Sequence, residues 1–279
     1  MKQIIAILKN PNQSEIEHAI EFNFYKLVRV MSTIDHEDTI YEETDEFFRY
    51  STGIPFFMLN AVIESLIPPE VAIKKIKENI TFFEKRQVPF IWLIGPSSSP
   101  KNMGELLIKS GFVLNKLPCM AYNLKILGAE RELLNKVEII KVENVETLKV
   151  WNEIFLTGFA MPKDLLSDFF YKAFSFMFLE DRHSASAFLA YYDGKPIASS
   201  FVFYEAGVAG IYNVTTLEEA RGKGIGTAIT LVPLHEAKKL GYEIAILQSS
   251  EMALNMYKHM GFKEYCKIEW FVWQPGSKE

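Results

Sequence analysis

The sequence contains few cysteines, and they are not spaced for a shared role. Cys119 and Cys266 are the only two in 279 residues, and neither belongs to a Cys-x-x-Cys or Cys/His pattern. Zinc sites and disulfide frameworks need clustered or paired cysteines. The sequence therefore predicts neither a metal site nor a disulfide scaffold, and it favours a reducing, cytoplasmic compartment.

Long apolar runs and blocks of like charge are also missing. No segment approaches the roughly 20 apolar residues that span a bilayer, and the first ten residues, MKQIIAILKN, lack the small-residue cleavage site of a secretory leader. The net charge is -5, without the basic patch that nucleic-acid binding requires. We therefore expect neither a membrane nor a nucleic acid as partner.

What the sequence does have is enough apolar residues for a sizeable core. Hydrophobic residues make up 49% of the chain and charged residues 23%, which is typical of one large or two ordinary globular domains. The second half alternates between strand and helix periodicities, with turns at Asp193-Gly194 and Ala206-Gly207 and helix ends at Gly241 and Gly261. The predicted order from Val137 onward is β-α-α-β-β-β-α-β-α-β, a mixed α/β fold.

Pro233 falls inside one predicted helix, where it removes a backbone donor at a cost of about 3 kcal/mol, so we expect a kink nearby.

Three closely spaced glycines, in RGKGIGT at residues 221–227, precede that helix. A dinucleotide fingerprint needs G-x-G-x-x-G, and a Walker loop needs lysine after its final glycine, so neither pattern fits. A turn of free backbone amides at a helix N-terminus, flanked by Arg221 and Lys223, suits a pyrophosphate. The alternative is an ordinary glycine-rich turn without a ligand.

The same run resembles the Q/R-x-x-G-x-G/A signature of the GNAT superfamily of N-acetyltransferases, with Arg221, Gly224 and Gly226 at the signature positions. The likeness extends from about Val137 to Trp273 and includes the Y-x-x-x-G-F ending at Phe262. It implies a GNAT-like fold, with a mixed central sheet flanked by helices, that binds acetyl-coenzyme A as co-substrate. The cofactor-binding residues that it implies are Val214, Thr215, Thr216, Arg221, Gly222, Lys223, Gly224, Ile225, Gly226, Thr227 and Ser250.

By the same resemblance, the backbone of Val214 and Thr216 pairs with the pantetheine arm, and the Thr216 N–H polarises the thioester carbonyl. Tyr257 is the expected general acid: a phenol with a pKa near 10 donates to a thiolate whose conjugate acid has a pKa near 8.5. Ser250 stands where the family often has Asn, and its shorter hydroxyl can still donate to the cofactor.

The general base stays open among Glu205, Glu218, Glu219 and His183, and the resemblance also leaves open a water chain that deprotonates the amine. His235 and His259 are expected to be satisfied or solvated, as is His183 if it is not the base. The aromatic run FFYKAFSFMF, residues 169–178, is typical of a buried core, and its alternative role is to line an acceptor pocket.

The first half carries a weaker echo of the second. Aligning Gly111-Phe112 with Gly261-Phe262 places Leu107 where Tyr257 stands and IPPEVA where RGKGIG stands. We therefore interpret residues 1–124 as a degenerate GNAT-like copy, 125–136 as a linker, and 137–279 as the catalytic domain. An unrelated α/β domain is the alternative for the first half.

The predicted function is transfer of an acetyl or other short acyl group from acetyl-coenzyme A to a primary amine by direct attack. The alternatives are an acyl-coenzyme A sensor without turnover and a scaffold that serves only protein contacts. The amine is open among small molecules, antibiotics, peptide termini and lysine side chains, and the chain is expected to be a monomer or a homodimer.

Overall fold

The computed structural model describes residues 6–130, 135–180 and 184–276. Its helices are α1 (Gln13–Ser32), α2 (Ala72–Lys85), α3 (Met103–Lys109), α4 (Val145–Gly158), α5 (Lys163–Ser175), α6 (Ile225–Lys239) and α7 (Glu251–Met260). Its strands are β1 (Ile40–Glu43), β2 (Phe48–Ser51), β3 (Asn60–Ile63), β4 (Phe90–Ile94), β5 (Val113–Asn123), β6 (Val137–Lys141), β7 (Ala185–Tyr192), β8 (Lys195–Glu205), β9 (Val208–Thr216), β10 (Ile244–Gln248) and β11 (Lys263–Trp273). Among these described helices, none is long and apolar enough to cross a membrane.

The chain forms two compact units, each assembled from two segments. Unit 1 comprises Met1–Asn23 and Met120–Glu264, and unit 2 comprises Phe24–Cys119 and Tyr265–Glu279. This division cuts the chain at other places than the predicted domains 1–124 and 137–279, because the last strand, β11, pairs with β4 of the first half. The domain boundaries therefore remain a prediction, and residues 131–134 of the predicted linker lie outside the described residues.

Unit 1 contains a mixed sheet in the order β10-β9-β8-β7-β6. The pair β9–β10 is parallel and the others are antiparallel. The two hairpins turn at the predicted dipeptides, Asp193-Gly194 with φ 52 and 76, and Ala206-Gly207 with φ 54 and 73. Two consecutive left-handed residues fit the right-handed twist of a hairpin. The predicted order of elements from β6 to β11 is confirmed.

The sheet of unit 1 is covered on both faces. Helices α6 and α7 pack on the face that includes Val202 and Ala245, and these residues share one hydrophobic cluster, which we call the α6 cluster. Trp151 of α4 contacts Phe201 on the opposite face, with ring centroids 6.1 Å apart. Because side chains alternate along a strand, β8 separates these two layers at consecutive residues. Strand β8 is therefore buried between two helical layers.

Pro233 lies inside α6, as the sequence predicted, and the helix runs through it. Proline has no N–H, so the carbonyl of Ile229, four residues earlier, loses its usual donor. The buried hydroxyl of Ser200 on β8 donates to that carbonyl at 2.8 Å. Tertiary contact therefore replaces the hydrogen bond that the sequence removes.

In unit 2, the strands follow the order β1-β2-β3-β4-β11. Its β3–β4 pair is parallel, and α2 and α3 bury Ile76, Phe83 and Leu107 in its core. Neither α1 nor β1 is predicted from the sequence.

Candidate active site

The first turn of α6 presents a group of free backbone amides. Gly224 is the N-cap residue in the left-handed conformation, with φ 76, and Gly222 has φ 75. In the described part of the chain, no atom accepts a hydrogen bond from the amides of residues 222–227, whereas the Arg221 amide is paired with Glu218 O at 3.2 Å. Unpaired amides at a helix N-terminus attract anions. We call residues 222–227 the amide cradle.

The two flanking cations contact the protein itself. Arg221 Nε donates to Thr216 O at 3.2 Å. Lys223 Nζ donates to Glu219 O at 3.0 Å and lies 4.7 Å from the centroid of the Tyr192 ring. Both positive charges therefore remain beside the cradle, while their hydrogen bonds hold the loop in place.

Next to the cradle, the parallel strands β9 and β10 separate. Their pairing is confined to Ala245↔Ala209 and Ile246↔Gly210, although β9 continues to Thr216. Leu217 N donates to Ile197 O on the β8 side at 2.8 Å. Backbone N–H groups alternate sides along a strand, so the N–H groups of Thr216 and Val214 point away from β8, toward the opening. The second half of β9 thus has an open edge beside β10.

A β-bulge lies within this part of β9. The register passes from Phe201↔Tyr212 to Ser199↔Thr215, so Asn213 and Val214 together oppose Ser200. Asn213 adopts φ 48, which asparagine tolerates better than most residues. Ser200 O accepts a hydrogen bond from Trp151 Nε1 at 3.1 Å, so α4 supplies a donor at the bulge. The bulge therefore interrupts the regular pairing of β9 with β8 just before the open edge.

Thr215 and Thr216 face opposite sides of the sheet. A Cβ at Gly158 of α4 would lie 2.1 Å from Thr215 Oγ1, so the Thr215 side chain is packed against α4 and its amide faces β8. A Cβ at Gly226 would lie 3.5 Å from Thr216 Oγ1 and 3.3 Å from Met256 Sδ. Thr216 therefore faces the cradle, and Thr215 does not.

Tyr257 lies on α7 with its ring buried, at 4% exposure. Burial raises the pKa of Tyr257 above its ordinary value, and a hydrogen bond between its phenol and the Thr230 hydroxyl partly opposes this. Thr230 Oγ1 in turn donates to Gly226 O at 2.8 Å. Through Thr230, the phenol is connected to the helix turn that forms the cradle, and it is protonated at neutral pH.

Ser250 is the N-cap residue of α7. Its Oγ accepts a hydrogen bond from the Ala253 amide at 3.3 Å. A capping hydroxyl uses an oxygen lone pair and keeps its own proton free to donate. Ser250 is thus engaged in the helix start, and its O–H remains a donor.

The candidate bases are not brought together. Glu205 lies at the far end of the β8–β9 hairpin, opposite Val208, and the eight steps from Val208 to Thr216 span roughly 26 Å at about 3.3 Å per residue. Glu218 and Glu219 are exposed and lie just before the amide cradle in the sequence. His183 lies outside the described residues. Glu205 is therefore remote from the opening, and no base is assigned.

Residues 149–262 match the Acetyltransferase (GNAT) family. This segment includes the cradle, the open edge of β9 and Tyr257. Residues 149–262 form a GNAT acetyltransferase domain. No curated protein matches the chain at a significant level.

Solved structures resemble the GNAT domain and the rest of the chain together. A GCN5-related N-acetyltransferase from Kribbella flavida has a TM-score of 0.67 at 16% identity and covers 93% of this chain and 95% of its own. A tandem GNAT protein from the clavulanic acid biosynthesis pathway has a TM-score of 0.62 at 11% identity, with 98% of both chains covered. A GCN5-related N-acetyltransferase from Sphaerobacter thermophilus has a TM-score of 0.62 at 14% identity, covering 95% of this chain and 94% of its own. At these identities the likeness shows the fold, including the tandem arrangement.

The aromatic run and the two remaining histidines of the GNAT domain lie outside the cradle. Phe169, Phe170 and Phe174 are buried and pack in the aromatic layer around Trp151. They belong to the core. His259 is exposed, and its Nδ1 contacts Asn255 O at 2.6 Å, while partial burial lowers the pKa of His235.

Sequence reasoning missed several residues of the site in the GNAT domain. Asn213 forms the bulge, Thr230 links Tyr257 to the cradle, and Met256 lies beside Gly226. An asparagine inside an apolar strand is a signal for a left-handed residue, and it precedes Val214 in the sequence. Thr230 and Met256 carry no local signal, because their roles depend on the packing of α6 against α7.

Proposed function

We propose that the GNAT domain transfers an acetyl or other short acyl group from acetyl-coenzyme A to a primary amine. The observation that carries the proposal is the amide cradle: residues 222–227 offer backbone donors without protein partners, in the described part of the chain, beside the open edge of β9. A diphosphate is an anion of suitable size for several amides at a helix N-terminus. The residues present therefore fit coenzyme A.

The open edge of β9 is where we place the pantetheine arm of coenzyme A. Pantetheine contains amide groups, and the free N–H groups of Val214 and Thr216 face the opening where β10 diverges. An N–H aimed at the thioester oxygen stabilises the negative charge that develops during attack. We assign this to Thr216, whose side chain also faces the cradle. Thr215 contributes to packing against α4.

Acetyl-coenzyme A, when bound, supplies a thioester carbonyl and a thiolate leaving group. Tyr257 holds a proton throughout the neutral range, because burial raises its pKa. Transfer from the phenol to a thiolate is uphill at ordinary pKa values, so Tyr257 acts mainly as a hydrogen-bond donor as the sulfur departs. Thr230 orients that donor from α6, and Ser250 adds a free O–H at the start of α7.

A second candidate function is binding of acyl-coenzyme A without turnover. The burial of Tyr257, at 4% exposure, favours it, since a phenol in this position also serves as an ordinary core residue. In that case, the cradle binds the same ligand and the amine is not acylated. The scarcity of cysteine supports a cytoplasmic location for either function.

Unit 2 supports the proposal that the first half is a degenerate copy. Its parallel pair β3–β4 corresponds to β9–β10, but the space beyond the pair is bridged by backbone. Ser99 N donates to Ser65 O at 2.8 Å, and Ile67 N donates to Ser99 O at 3.1 Å. The buried Leu107 stands at the position equivalent to Tyr257. We therefore assign catalysis to the GNAT domain alone.

The test is to titrate the protein with coenzyme A and then to follow free thiol release from acetyl-coenzyme A with a panel of primary amines. An enzyme binds coenzyme A and releases thiol only with a suitable amine. A sensor binds tightly and releases thiol at the same slow rate with every amine. A protein that shows no thermal shift with coenzyme A contradicts both functions, because a ligand that binds the native state raises its stability.

A further inference from the structure

Gln248, the last residue of β10, carries a buried side-chain amide without partners. In the described part of the chain, neither its Oε1 nor its Nε2 has a hydrogen-bond partner, and both atoms are buried. Buried polar atoms in proteins are nearly always paired, because leaving them unpaired costs free energy. An amide that lacks both a donor and an acceptor is therefore suited to a ligand that supplies them.

Its position in the strand places Gln248 at the opening. The ladder between β10 and β9 ends at Ile246↔Gly210, two residues before Gln248. Ala245 and Leu247 belong to the α6 cluster, so by alternation Gln248 points to the opposite face. Tyr257 belongs to the α6 cluster. Gln248 and Tyr257 therefore approach the opening from different faces of the sheet.

We propose that Gln248 binds the acyl acceptor, and that this acceptor is a primary amine in which the carbon next to the amine-bearing carbon carries a hydroxyl or carbonyl oxygen. The proposal rests on the proposed function, in which the cradle and Tyr257 bind the thioester from the face of the α6 cluster. The amine then occupies the opposite face, where Gln248 lies.

The chemistry of the amide defines the acceptor class. The attacking amine must be neutral. Gln248 Oε1 accepts a hydrogen bond from that amine without the negative charge of a carboxylate, which would stabilise the ammonium form. Nε2 is a donor on the same planar group, so its partner must be an oxygen close to the amine. A hydroxyl and a carbonyl both meet this requirement, as in amino alcohols, amino sugars and α-amino amides.

The experiment compares matched amines with wild-type protein and with Gln248→Met, which preserves side-chain length. The pairs are 2-aminoethanol and n-propylamine, glycinamide and isobutylamine, and glucosamine and cyclohexylamine. For each amine, the ratio of wild-type to variant kcat/KM cancels differences in basicity. We expect Gln248→Met to lower kcat/KM for oxygen-bearing amines about tenfold or more, and to lower it much less for their alkyl counterparts. The 2-aminoethanol and glycinamide arms separate hydroxyl from carbonyl recognition.

Two further readouts distinguish binding from a structural role. Gln248→Met should melt no lower than wild type, because it removes two unpaired buried atoms. Gln248→Glu should shift the pH–rate profile to higher pH, because a carboxylate raises the pKa of the bound amine.

Equal losses within each pair, or a lower melting temperature for Gln248→Met, overturn the assignment. So does a protein that binds coenzyme A yet acylates none of the oxygen-bearing amines. If the wild-type protein does not bind coenzyme A, that result instead contradicts the proposed function.

Discussion

Replacing Gly224 by Ala tests the amide cradle most directly. Gly224 caps α6 with φ 76, a conformation that costs an L-residue about 1–2 kcal/mol. Relief of this strain moves the amides that flank the residue. Losing one hydrogen bond to a charged phosphate oxygen costs about 1.5–3 kcal/mol, which corresponds to roughly a 10- to 100-fold weaker affinity for coenzyme A.

Gly194 provides a matched control in the same unit. It has the same φ of 76 in the β7–β8 hairpin, and a Cβ added there would meet nothing within 4 Å. Gly194→Ala therefore carries a similar backbone strain without touching the cradle. Both variants should lower the melting temperature by about 2–8 °C, given about 2–4 °C per kcal/mol for a protein of this size.

Isothermal titration calorimetry with coenzyme A at fixed ionic strength measures the affinities, and thermal melting measures the stabilities. We expect equal losses of stability and a loss of affinity only in Gly224→Ala. If Gly224→Ala binds coenzyme A as tightly as Gly194→Ala, the backbone amides of this turn do not hold the diphosphate.

Three other perturbations follow from the contacts. Tyr257→Phe should reduce kcat about tenfold or more and leave the coenzyme A Kd within about twofold. The pH profiles of variant and wild type should run parallel from about pH 6 to 9, because burial raises the pKa of the phenol. Equal kcat values would show that solvent supplies the proton to the thiolate. Ser200→Ala should destabilise the protein by about 1–3 kcal/mol by leaving Ile229 O unpaired. The double variant Ser200→Ala/Pro233→Ala should recover part of that loss, since the alanine introduced in place of Pro233 brings a backbone N–H that can reach the same carbonyl, and simple additivity in denaturant melts would contradict the compensation. The pKa of Glu243 is lowered to about 2, chiefly by the Asn10 amide and then by Lys125 and Lys9. A lowered carboxyl pKa stabilises the fold fully above the ordinary value of 4.5, and this contribution disappears as pH falls toward 2. Urea melts of Glu243→Gln should therefore show a deficit at neutral pH that shrinks as the solution is acidified below that ordinary value, and a deficit independent of pH would show that the charge is not involved.

The sequence predicted the elements whose signals are local. Gly241 and Gly261 end α6 and α7 in the left-handed conformation, with φ 88 and 106, and the two hairpin dipeptides turn as expected. Free amides at the start of α6 were also predicted, and among the described residues only the Arg221 amide of that run is paired, with Glu218 O; that they bind a ligand stays a prediction. These features depend on the backbone preferences of a few neighbouring residues.

Features that depend on distant partners were not predictable. The bulge at Asn213 requires Ser200 on another strand, and the pairing of β11 with β4 joins segments that are far apart in the chain. In α1, Asn23 is fully buried and donates to Glu205 O at 2.9 Å, so a polar residue interrupts the apolar stripe that would mark the helix. Gln248 carries no sequence signal either, because its importance lies in the partners that it lacks among the described residues.

The backbone bridge between Ser65, Ile67 and Ser99 bears on how many coenzyme A molecules one chain binds. These bonds are made by main-chain atoms, so exchanging side chains leaves them intact unless proline removes a donor N–H or the length of the 95–102 loop changes. A titration of the whole protein should therefore saturate at a single equivalent of coenzyme A per chain, even though the fold is repeated.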